Sequence, residues 1–319
     1  MSENQREIGG YFGLDDYTGQ EYHRDLIGVN SGRNALLYLL KARSVQKLYI
    51  PDFLCDTVYR LCQREGYAYE FYSIDSNLRP VFDKTLGEGE WLYVVNYYGQ
   101  LSDEEIVAFK QQYDRVILDH VQAFFHRPVT GVDTVYSCRK FFGVPDGGYV
   151  ATDAVSDIAM PMDASAERMT HVLGRYEQGG SAFYAVFQEN DENFYDLELR
   201  QMSPLTRNLM RGVDYAAAKA AREANYRVLA SVLDATNRLT LTQPEGPYCY
   251  PYYCENGAAV RKALAAQKIY VPTLWPNVLE EGDALARDYA ANILPLPCDQ
   301  RYTAEDMTRM LDALASCSR

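Results

Sequence analysis

The sequence of 319 residues predicts a three-layer α/β/α protein with a mostly parallel sheet, followed by a smaller C-terminal α+β domain. Three observations predict this class. Short apolar strands alternate with helical patterns through the first 151 residues. A strong helical pattern covers residues 215–233, and further strand and helix patterns end the chain. We expect the large domain at residues 1–212, and a linker helix with the small domain at residues 213–319.

The alternation begins at Leu26, where a short apolar strand leads into the turn Ser31-Gly32 and a helix with apolar residues at helical spacing. Gly66 is placed to end the second helix, since glycine readily adopts the left-handed conformation found there. A further strand opens at Gly147-Gly148. The predicted strands between these points are residues 47–51, 67–75, 91–99, 115–120 and 133–138, and the predicted helices are residues 56–66 and 103–113.

The second half of the chain is less regular. Residues 154–196 have weak periodicity, a Gly179-Gly180 pair and a polar run, and we predict a long loop with helical pieces there. The small domain is expected to contain two strands that alternate with two helices. The predicted order is strand 248–254, helix 257–267, strand 269–275 and helix 303–314.

Composition excludes several classes of function. Hydrophobic residues make up 47% and charged residues 24%, which is typical of a soluble globular protein. Because 31 Lys and Arg face 44 Asp and Glu, the net charge of −13 disfavours nucleic acid and anionic membranes as partners. The seven cysteines lack metal-site spacing, so neither zinc nor another metal is expected. The sequence shows no signal-peptide pattern and no long apolar run, and we expect a reduced, cytoplasmic protein.

In α/β sheets, ligands bind where strands end at their carboxyl side, so the polar residues after each predicted strand are candidates for a site. These residues are Ser31, Asn96, Asp119, His120 and Ser137.

Lys140 directly follows a predicted strand and precedes Phe141 and Phe142. Apolar neighbours would desolvate the amine and lower its pKa, which would make it available to attack a carbonyl group. This is the requirement for a lysine that forms a Schiff base. On position alone, a surface lysine with no role in chemistry is the alternative.

Asp119 ends an apolar strand, where a carboxylate can pair with a protonated ring nitrogen of a pyridine cofactor. Gln122 could bond to the same ring, and a helix N-cap is the alternative role for Asp119. The turn Ser31-Gly32 at a helix start, with Arg33, indicates a phosphate site. Together these residues supply the three anchors of pyridoxal 5'-phosphate (PLP), which are its phosphate, ring nitrogen and aldehyde.

In order and spacing these residues resemble the fold-type I, PLP-dependent aminotransferases of the DegT/StrS family, which act on keto-sugars. The resemblance extends thinly over most of the chain. It is carried by an S-G-[TR]-x-A-L turn at Ser31, Gly32, Arg33, Ala35 and Leu36, a D-x-x-Q pattern at Asp119 and Gln122, and a K-x(5)-[DE]-G-G pattern at Lys140, Asp146, Gly147 and Gly148.

The resemblance implies roles for these residues. Lys140 would carry PLP as a Schiff base, and Asp119 and Gln122 would contact the pyridine ring. Ser31, Gly32, Arg33 and Ser137 would bind the phosphate. The aromatic residue that stacks on the ring would be Phe53, although an offset of two residues would place Cys55 there instead. The resemblance also implies a homodimer with each active site at the interface.

The sequence departs from the family pattern in three respects. The chain is shorter than a typical member, and the interval between Asp119 and Lys140 is compressed. Arg33 stands where the family commonly has threonine. The G-x-N-x-R segment, whose asparagine reaches the phosphate of the neighbouring subunit, is not recognisable in residues 192–202.

The resemblance implies transfer of an amino group from a donor such as glutamate to a keto-sugar, which could be nucleotide-linked. One alternative is another PLP reaction, such as dehydration. Relatives that dehydrate replace the lysine with histidine, so the retained Lys140 favours transamination. A second alternative is a catalytically silent sugar-binding or regulatory protein on the same fold. Candidates for substrate contact, with core packing as the alternative, are Tyr97, Tyr98, Tyr250 and Trp275.

Overall fold

The computed structural model describes residues 8–317, and all structural statements below concern these residues. The strands are β1 (Ile27–Val29), β2 (Lys47–Pro51), β3 (Ala68–Ile74), β4 (Pro80–Val81), β5 (Glu90–Val95), β6 (Val116–Asp119), β7 (Asp133–Ser137), β8 (Gly148–Ala151), β9 (Tyr250–Tyr253) and β10 (Ile293–Leu296).

Helices connect and cover these strands. They are α1 (Gly32–Ala42), α2 (Asp56–Glu65), α3 (Asp103–Tyr113), α4 (Thr170–Gln178), α5 (Tyr184–Asn193), α6 (Pro204–Arg211), α7 (Tyr215–Leu233), α8 (Gly257–Ala266), α9 (Val278–Glu281), α10 (Ala284–Asn292) and α11 (Ala304–Cys317). Short 3₁₀ turns occur at Tyr97–Gly99 and Ala166–Met169.

Strands β1 to β8 form one sheet in the order β1-β8-β7-β6-β5-β2-β3-β4. The central pairs β7/β6, β6/β5, β5/β2 and β2/β3 are parallel. Strand β8 is antiparallel to both β1 and β7, so β1 points in the same direction as β7. The predicted mostly parallel α/β sheet is confirmed, and its strands β1, β6 and β7 end at one common edge.

The centre of the sheet is buried because both faces are covered by helices. Strand β6 is buried at every residue, and β5 is buried from Trp91 to Val95. Helix α1 packs on β7 and β8, and its residues from Asn34 to Leu40 are all buried. Continuous apolar runs of this kind are typical of strands in parallel sheets.

Local signals in the sequence set several helix ends. The Ser31 hydroxyl accepts a hydrogen bond from the Asn34 N–H and so caps α1. Gly66 ends α2 with φ of 78°, a left-handed conformation that favours glycine. Ser102 and Glu105 form a reciprocal capping box at the start of α3.

The prediction of a strand at residues 269–275 is wrong. Lys268 has φ of 61°, and the Ile269 N–H bonds back to the Leu264 carbonyl at the end of α8. These backbone groups therefore complete a helix end and do not form a ladder. The partner of β9 is β10, and the sequence patterns did not indicate β10, α6, α9 or α10.

The end of the chain is built around α7 and the β9/β10 pair. Leu229, Tyr250, Leu264, Leu294 and Met307 belong to one buried apolar cluster there. Trp275, Val278 and Tyr289 instead join the cluster beneath the main sheet. The division of the chain after residue 212 remains a prediction.

Among residues 8–317, no helix is both long and apolar enough to cross a membrane. The first seven residues, on which part of the expectation about a signal peptide depends, lie outside the described residues.

Candidate active site

Strands β1, β6 and β7 end at the same edge of the sheet, and a polar residue lies at or just beyond each end. Ser31 follows β1, Asp119 is the last residue of β6, and Ser137 is the last residue of β7. Lys140 lies three residues beyond Ser137. The topology thus gathers residues that are far apart in the sequence.

A cavity of about 180 Å³ opens between these strand ends, and we call it the strand-end cavity. Most of the candidate site residues lie on its wall. Its lining residues are Ser31, Gly32, Arg33, Leu36, Leu54, Cys55, Thr57, Val58, Tyr93, Asp119, Val121, Ser137, Arg139, Lys140, Asp191, Phe194 and Trp275.

Asp119 is a buried carboxylate that is only 3% exposed. One oxygen accepts a hydrogen bond of 2.7 Å from the Tyr93 hydroxyl, and the other accepts one of 2.7 Å from the Val121 N–H. Burial raises the pKa of Asp119, and these two hydrogen bonds and the positive charge of Lys140 oppose that rise. Asp119 makes no ion pair within residues 8–317. A buried carboxylate without a cationic partner is suited to receive one from a ligand.

Lys140 is exposed on the wall of the strand-end cavity, and its ammonium nitrogen lies 5.8 Å from the centre of the Tyr248 ring. Desolvation by the surrounding protein atoms lowers its pKa, but the charges that Tyr248, Cys55 and Asp119 carry when deprotonated outweigh desolvation and leave the pKa of Lys140 raised. The expectation of a lowered pKa is therefore wrong for this structure. The sequence could not show that a carboxylate, a thiol and a phenol from three other segments lie near the amine.

The turn Ser31-Gly32 lies tightly against neighbouring segments. A Cβ on Gly32 would be 3.1 Å from the Cβ of Ser137, and one on Gly148 would be 2.7 Å from the carbonyl carbon and oxygen of Ser31. Glycine at both positions lets β8 pass directly beside the start of α1. Exposed N–H groups at a helix start bind anions, and α1 has no acidic residue in its first turn.

The Asp-Gly-Gly motif at residues 146–148 has a structural role. Asp146 is fully buried and accepts hydrogen bonds from the Ser203 N–H, the Ser203 hydroxyl and the Thr206 hydroxyl at the start of α6. Gly147 has φ of 115°, a conformation that side chains rarely tolerate. The motif therefore fixes α6 and directs β8 past Ser31.

Two arginines border the strand-end cavity. The Arg33 guanidinium donates to the Phe194 carbonyl and lies 4.2 Å from the centre of the Tyr195 ring. Arg139 donates to the Asp191 carboxylate at 3.1 Å, and its guanidinium lies 3.9 Å from the centre of the Phe194 ring. Burial lowers the pKa of both guanidinium groups, which nevertheless remain charged at neutral pH.

Two candidates do not line the strand-end cavity. The Phe53 ring is 1% exposed and packs against Tyr97 and Trp275. Cys55, the alternative at an offset of two residues, is on the cavity wall. Gln122 accepts a hydrogen bond from the Tyr98 N–H, while its own amide nitrogen is buried without a partner.

The sequence patterns did not single out Tyr93, Arg139, Asp191 and Phe194. Tyr93 lies within a strand, and only the pairing of β5 with β6 shows that its hydroxyl reaches Asp119. Arg139 precedes Lys140 directly, so its proximity to the candidate lysine was an available signal. Asp191 and Phe194 fall in the segment of weak periodicity.

Other candidates after strands have structural partners. Asn96 contacts the His120 ring at 3.2 Å and accepts a hydrogen bond from the Leu101 N–H. The pKa of His120 lies well below its usual range because the ring is buried. Neither residue lines the strand-end cavity. Among the described residues, no cluster of His, Cys, Asp and Glu is arranged to hold a metal ion.

Comparison with solved structures identifies the fold. DesV from S. venezuelae, solved in complex with a ketimine intermediate, matches with a TM-score of 0.63 at 17% identity over 92% of this chain and 85% of that chain. NtdA from Bacillus subtilis with bound cofactor PMP matches with a TM-score of 0.61 at 16% identity, over 92% and 73%. A DegT/DnrJ/EryC1/StrS aminotransferase from Brucella abortus matches with a TM-score of 0.60 at 14% identity, over 91% and 85%.

The chain therefore has the fold of the fold-type I sugar aminotransferases, and the architecture implied by the sequence motifs is confirmed. No protein-family model and no curated protein matches the sequence. At these levels of identity the structural likeness establishes the fold alone.

Proposed function

We propose that this protein is a PLP-dependent aminotransferase that transfers an amino group from an amino-acid donor, with glutamate as the first candidate, to a keto-sugar. The observation that carries the proposal is the shared cavity of Lys140 and Asp119. A lysine amine and a buried carboxylate that forms no ion pair in the described part of the chain border one space, beside the start of a helix. Solved proteins with this fold include one with bound PMP and one with a ketimine intermediate.

The residues present fit the cofactor. The Asp119 carboxylate suits a protonated ring nitrogen, because Tyr93 and Val121 fix its orientation and leave its charge without a cation. The N–H groups that follow Ser31 and the Ser137 hydroxyl suit the phosphate. Gln122 follows Asp119 by three residues in the sequence. Its amide nitrogen is buried without a hydrogen-bond partner among the described residues and is therefore free to donate to a ligand.

When bound, PLP supplies an aldehyde for the amino donor and a ring that accepts electrons from the donor Cα. Lys140 would hold the aldehyde end of the cofactor and would be freed when the amino donor binds. Its amine would then carry the proton between the donor Cα and the cofactor. Asp119 would place a negative charge opposite the ring nitrogen, which requires its carboxyl group to be ionised.

A second cavity, next to the strand-end cavity, carries an excess of basic residues and is the candidate site for the acceptor. It has a volume of about 350 Å³, shares Lys140 with the strand-end cavity, and includes Arg175, Lys268, Arg301 and Arg309 against the carboxylates of Asp299 and Asp306. Arg301 is paired with Asp299 at 2.7 Å, which leaves the other cations less compensated. In a chain with a net charge of −13, this local excess supports an anionic acceptor, such as a nucleotide-linked keto-sugar.

We further infer that the protein acts in the cytoplasm as a homodimer whose active sites lie at the subunit interface. Support for the dimer comes from the family resemblance in the motifs. Sedimentation of the purified chain measures the oligomeric state directly.

The first test uses absorbance spectroscopy on purified protein with added PLP. The wild type should develop the absorbance band of a lysine-bound cofactor, and glutamate should convert it to that of the pyridoxamine form. Lys140→Ala should abolish the lysine-bound band, whereas Lys262→Ala, on the exposed surface of α8, should leave it unchanged.

Each other result selects another function. A lysine-bound band that no amino acid converts would support a different PLP reaction. A protein that stays colourless with excess PLP would support a silent binding protein. An unchanged spectrum in Lys140→Ala would refute the assignment of the lysine.

A further inference from the structure

Arg33 and Arg139 enter the strand-end cavity from two chain segments that touch each other. Arg33 follows Gly32 in the first turn of α1, and Arg139 lies two residues beyond Ser137 at the end of β7. A Cβ on Gly32 would lie 3.1 Å from the Cβ of Ser137, so the two segments are in contact. Both guanidinium groups then meet Phe194, one at its carbonyl and one at its ring.

Both arginines keep hydrogen-bonding capacity in reserve. A guanidinium carries five N–H donors. Arg33 uses one nitrogen for the Phe194 carbonyl, while its Nε is buried without a partner. Within residues 8–317, the side chain of Arg139 donates only to Asp191. Each side chain can therefore accept an additional oxygen-rich ligand without losing its present contact.

The charges at this end of the cavity are not balanced. Arg33 and Arg139 line the same cavity as the start of α1, which has no acidic residue in its first turn. The carboxylate that pairs with Arg139 belongs to Asp191, whose side chain is 56% exposed. A partly buried pair of cations with one exposed counter-charge favours a bound dianion, and arginine binds phosphate oxygens in pairs.

We propose that Arg33 and Arg139 together bind the phosphate of PLP from within a single chain. Arg139 is then a phosphate-binding residue that the sequence motifs do not assign. This inference rests on the proposed function. It gives the strand-end cavity two cationic phosphate ligands from one chain.

The test compares the binding of PLP with that of pyridoxal, which lacks the phosphate, in absorbance titrations of the cofactor-free protein. Arg139→Gln should weaken PLP binding by about ten- to a hundredfold, as expected for loss of charged hydrogen bonds, and leave pyridoxal binding unchanged. Arg139→Lys should recover part of the affinity. Arg287→Gln, an exposed substitution on α10, is the matched control and should bind PLP like the wild type.

Competition by inorganic phosphate gives a second readout. Phosphate should compete with PLP in the wild type and lose most of that effect in Arg139→Gln. Equal PLP affinity in the wild type and in Arg139→Gln would overturn the inference, as would an equal loss of pyridoxal binding in a variant that melts like the wild type.

Failure of the proposed function gives a different result. In that case the wild type itself would show no cofactor band. Calorimetry with inorganic phosphate alone then shows whether the arginine pair binds phosphate. Binding by the wild type and not by Arg139→Gln supports the pair, and equal heats in the two proteins refute it.

Discussion

The two ends of the strand-end cavity are built in different ways. The ring end consists of Asp119, Tyr93 and Val121, and the first two lie on the neighbouring parallel strands β6 and β5. The arginine end consists of Arg33, Arg139, Asp191 and Phe194, and the last two come from the end of α5 and the residue that follows it. Asp119 is buried, whereas the side chain of Asp191 is more than half exposed.

The two ends therefore differ in how firmly their side chains are held. The carboxylate at the ring end is held by two hydrogen bonds, one from Tyr93 on the neighbouring strand and one from the Val121 N–H just beyond β6, so we expect it to keep its position when a ligand binds. The arginine end is held by a half-exposed ion pair and by contacts with the neighbouring residues Phe194 and Tyr195, which a ligand can rearrange. Substitutions should therefore change activity and cofactor binding most at the ring end and least at Asp191.

The largest effect is expected from Asp119→Asn. The amide keeps the shape and can bond to Tyr93 and Val121, but it cannot supply a negative charge to the ring nitrogen. We expect transamination to fall by about 10²–10³-fold, as when other preorganised electrostatic groups are removed. Measured rates with glutamate check this, with Asp312→Asn on the exposed surface of α11 as the control.

Stability of the cofactor-free Asp119→Asn protein should change in the opposite direction. Burial raises the folded-state pKa of Asp119, so the ionised carboxylate opposes folding at pH values above that pKa. The variant should therefore melt at a higher temperature than the wild type at neutral pH. The advantage should disappear at acidic pH, where Asp119 is protonated. A lower melting temperature at neutral pH would contradict the assigned cost of this charge.

The ring end was predictable from the sequence because regular structure builds it. The strand patterns in the sequence predicted β6 and β7. Asp119 and Ser137 are the last residues of these strands, so both were expected at the same edge of a parallel sheet. The contribution of Tyr93 was not predictable, because it depends on which strand pairs with β6. Residue identity inside a buried strand does not reveal a cross-strand hydrogen bond.

The second largest effect is expected from Gly148→Ala, at the close contact between β8 and the start of α1. The added Cβ would lie 2.7 Å from the carbonyl group of Ser31, so β8 or the start of α1 must move. We expect a loss of about 1–3 kcal/mol of stability, which is typical of overpacking, together with weaker PLP binding. Chemical denaturation measures the first quantity and titration the second.

Gly13→Ala is the matched control, since a Cβ there meets no atom within 4 Å. It should leave both stability and PLP binding unchanged. If Gly148→Ala retained full stability and affinity, the tight passage of β8 beside Ser31 would not be a requirement of the site.

The arginine end was only partly predictable. Arg33 was part of a recognisable turn, but the partner contacts of both arginines come from residues 191–195, where the sequence has no clear period. Weak periodicity there reflects short helices that are largely exposed, so few apolar positions mark their buried faces. Cys55 and Phe53 show the same limit, because an offset of two residues in a turn decides which side chain enters the cavity.

The smallest effect is expected from Asp191→Asn. The ion pair with Arg139 is partly exposed, so its loss should change the free energy of unfolding by less than about 1 kcal/mol. Removing this carboxylate also removes a negative charge beside Arg139 that would repel a bound phosphate. PLP should therefore bind up to about fivefold more tightly, which corresponds to an exposed ion pair of 0.2–1 kcal/mol.

Glu189→Gln carries the same charge change on an exposed part of α5 and should not alter affinity. If Asp191→Asn instead weakened PLP binding while Glu189→Gln did not, Asp191 would be holding Arg139 in its binding position, and the arginine end would be as fixed as the ring end.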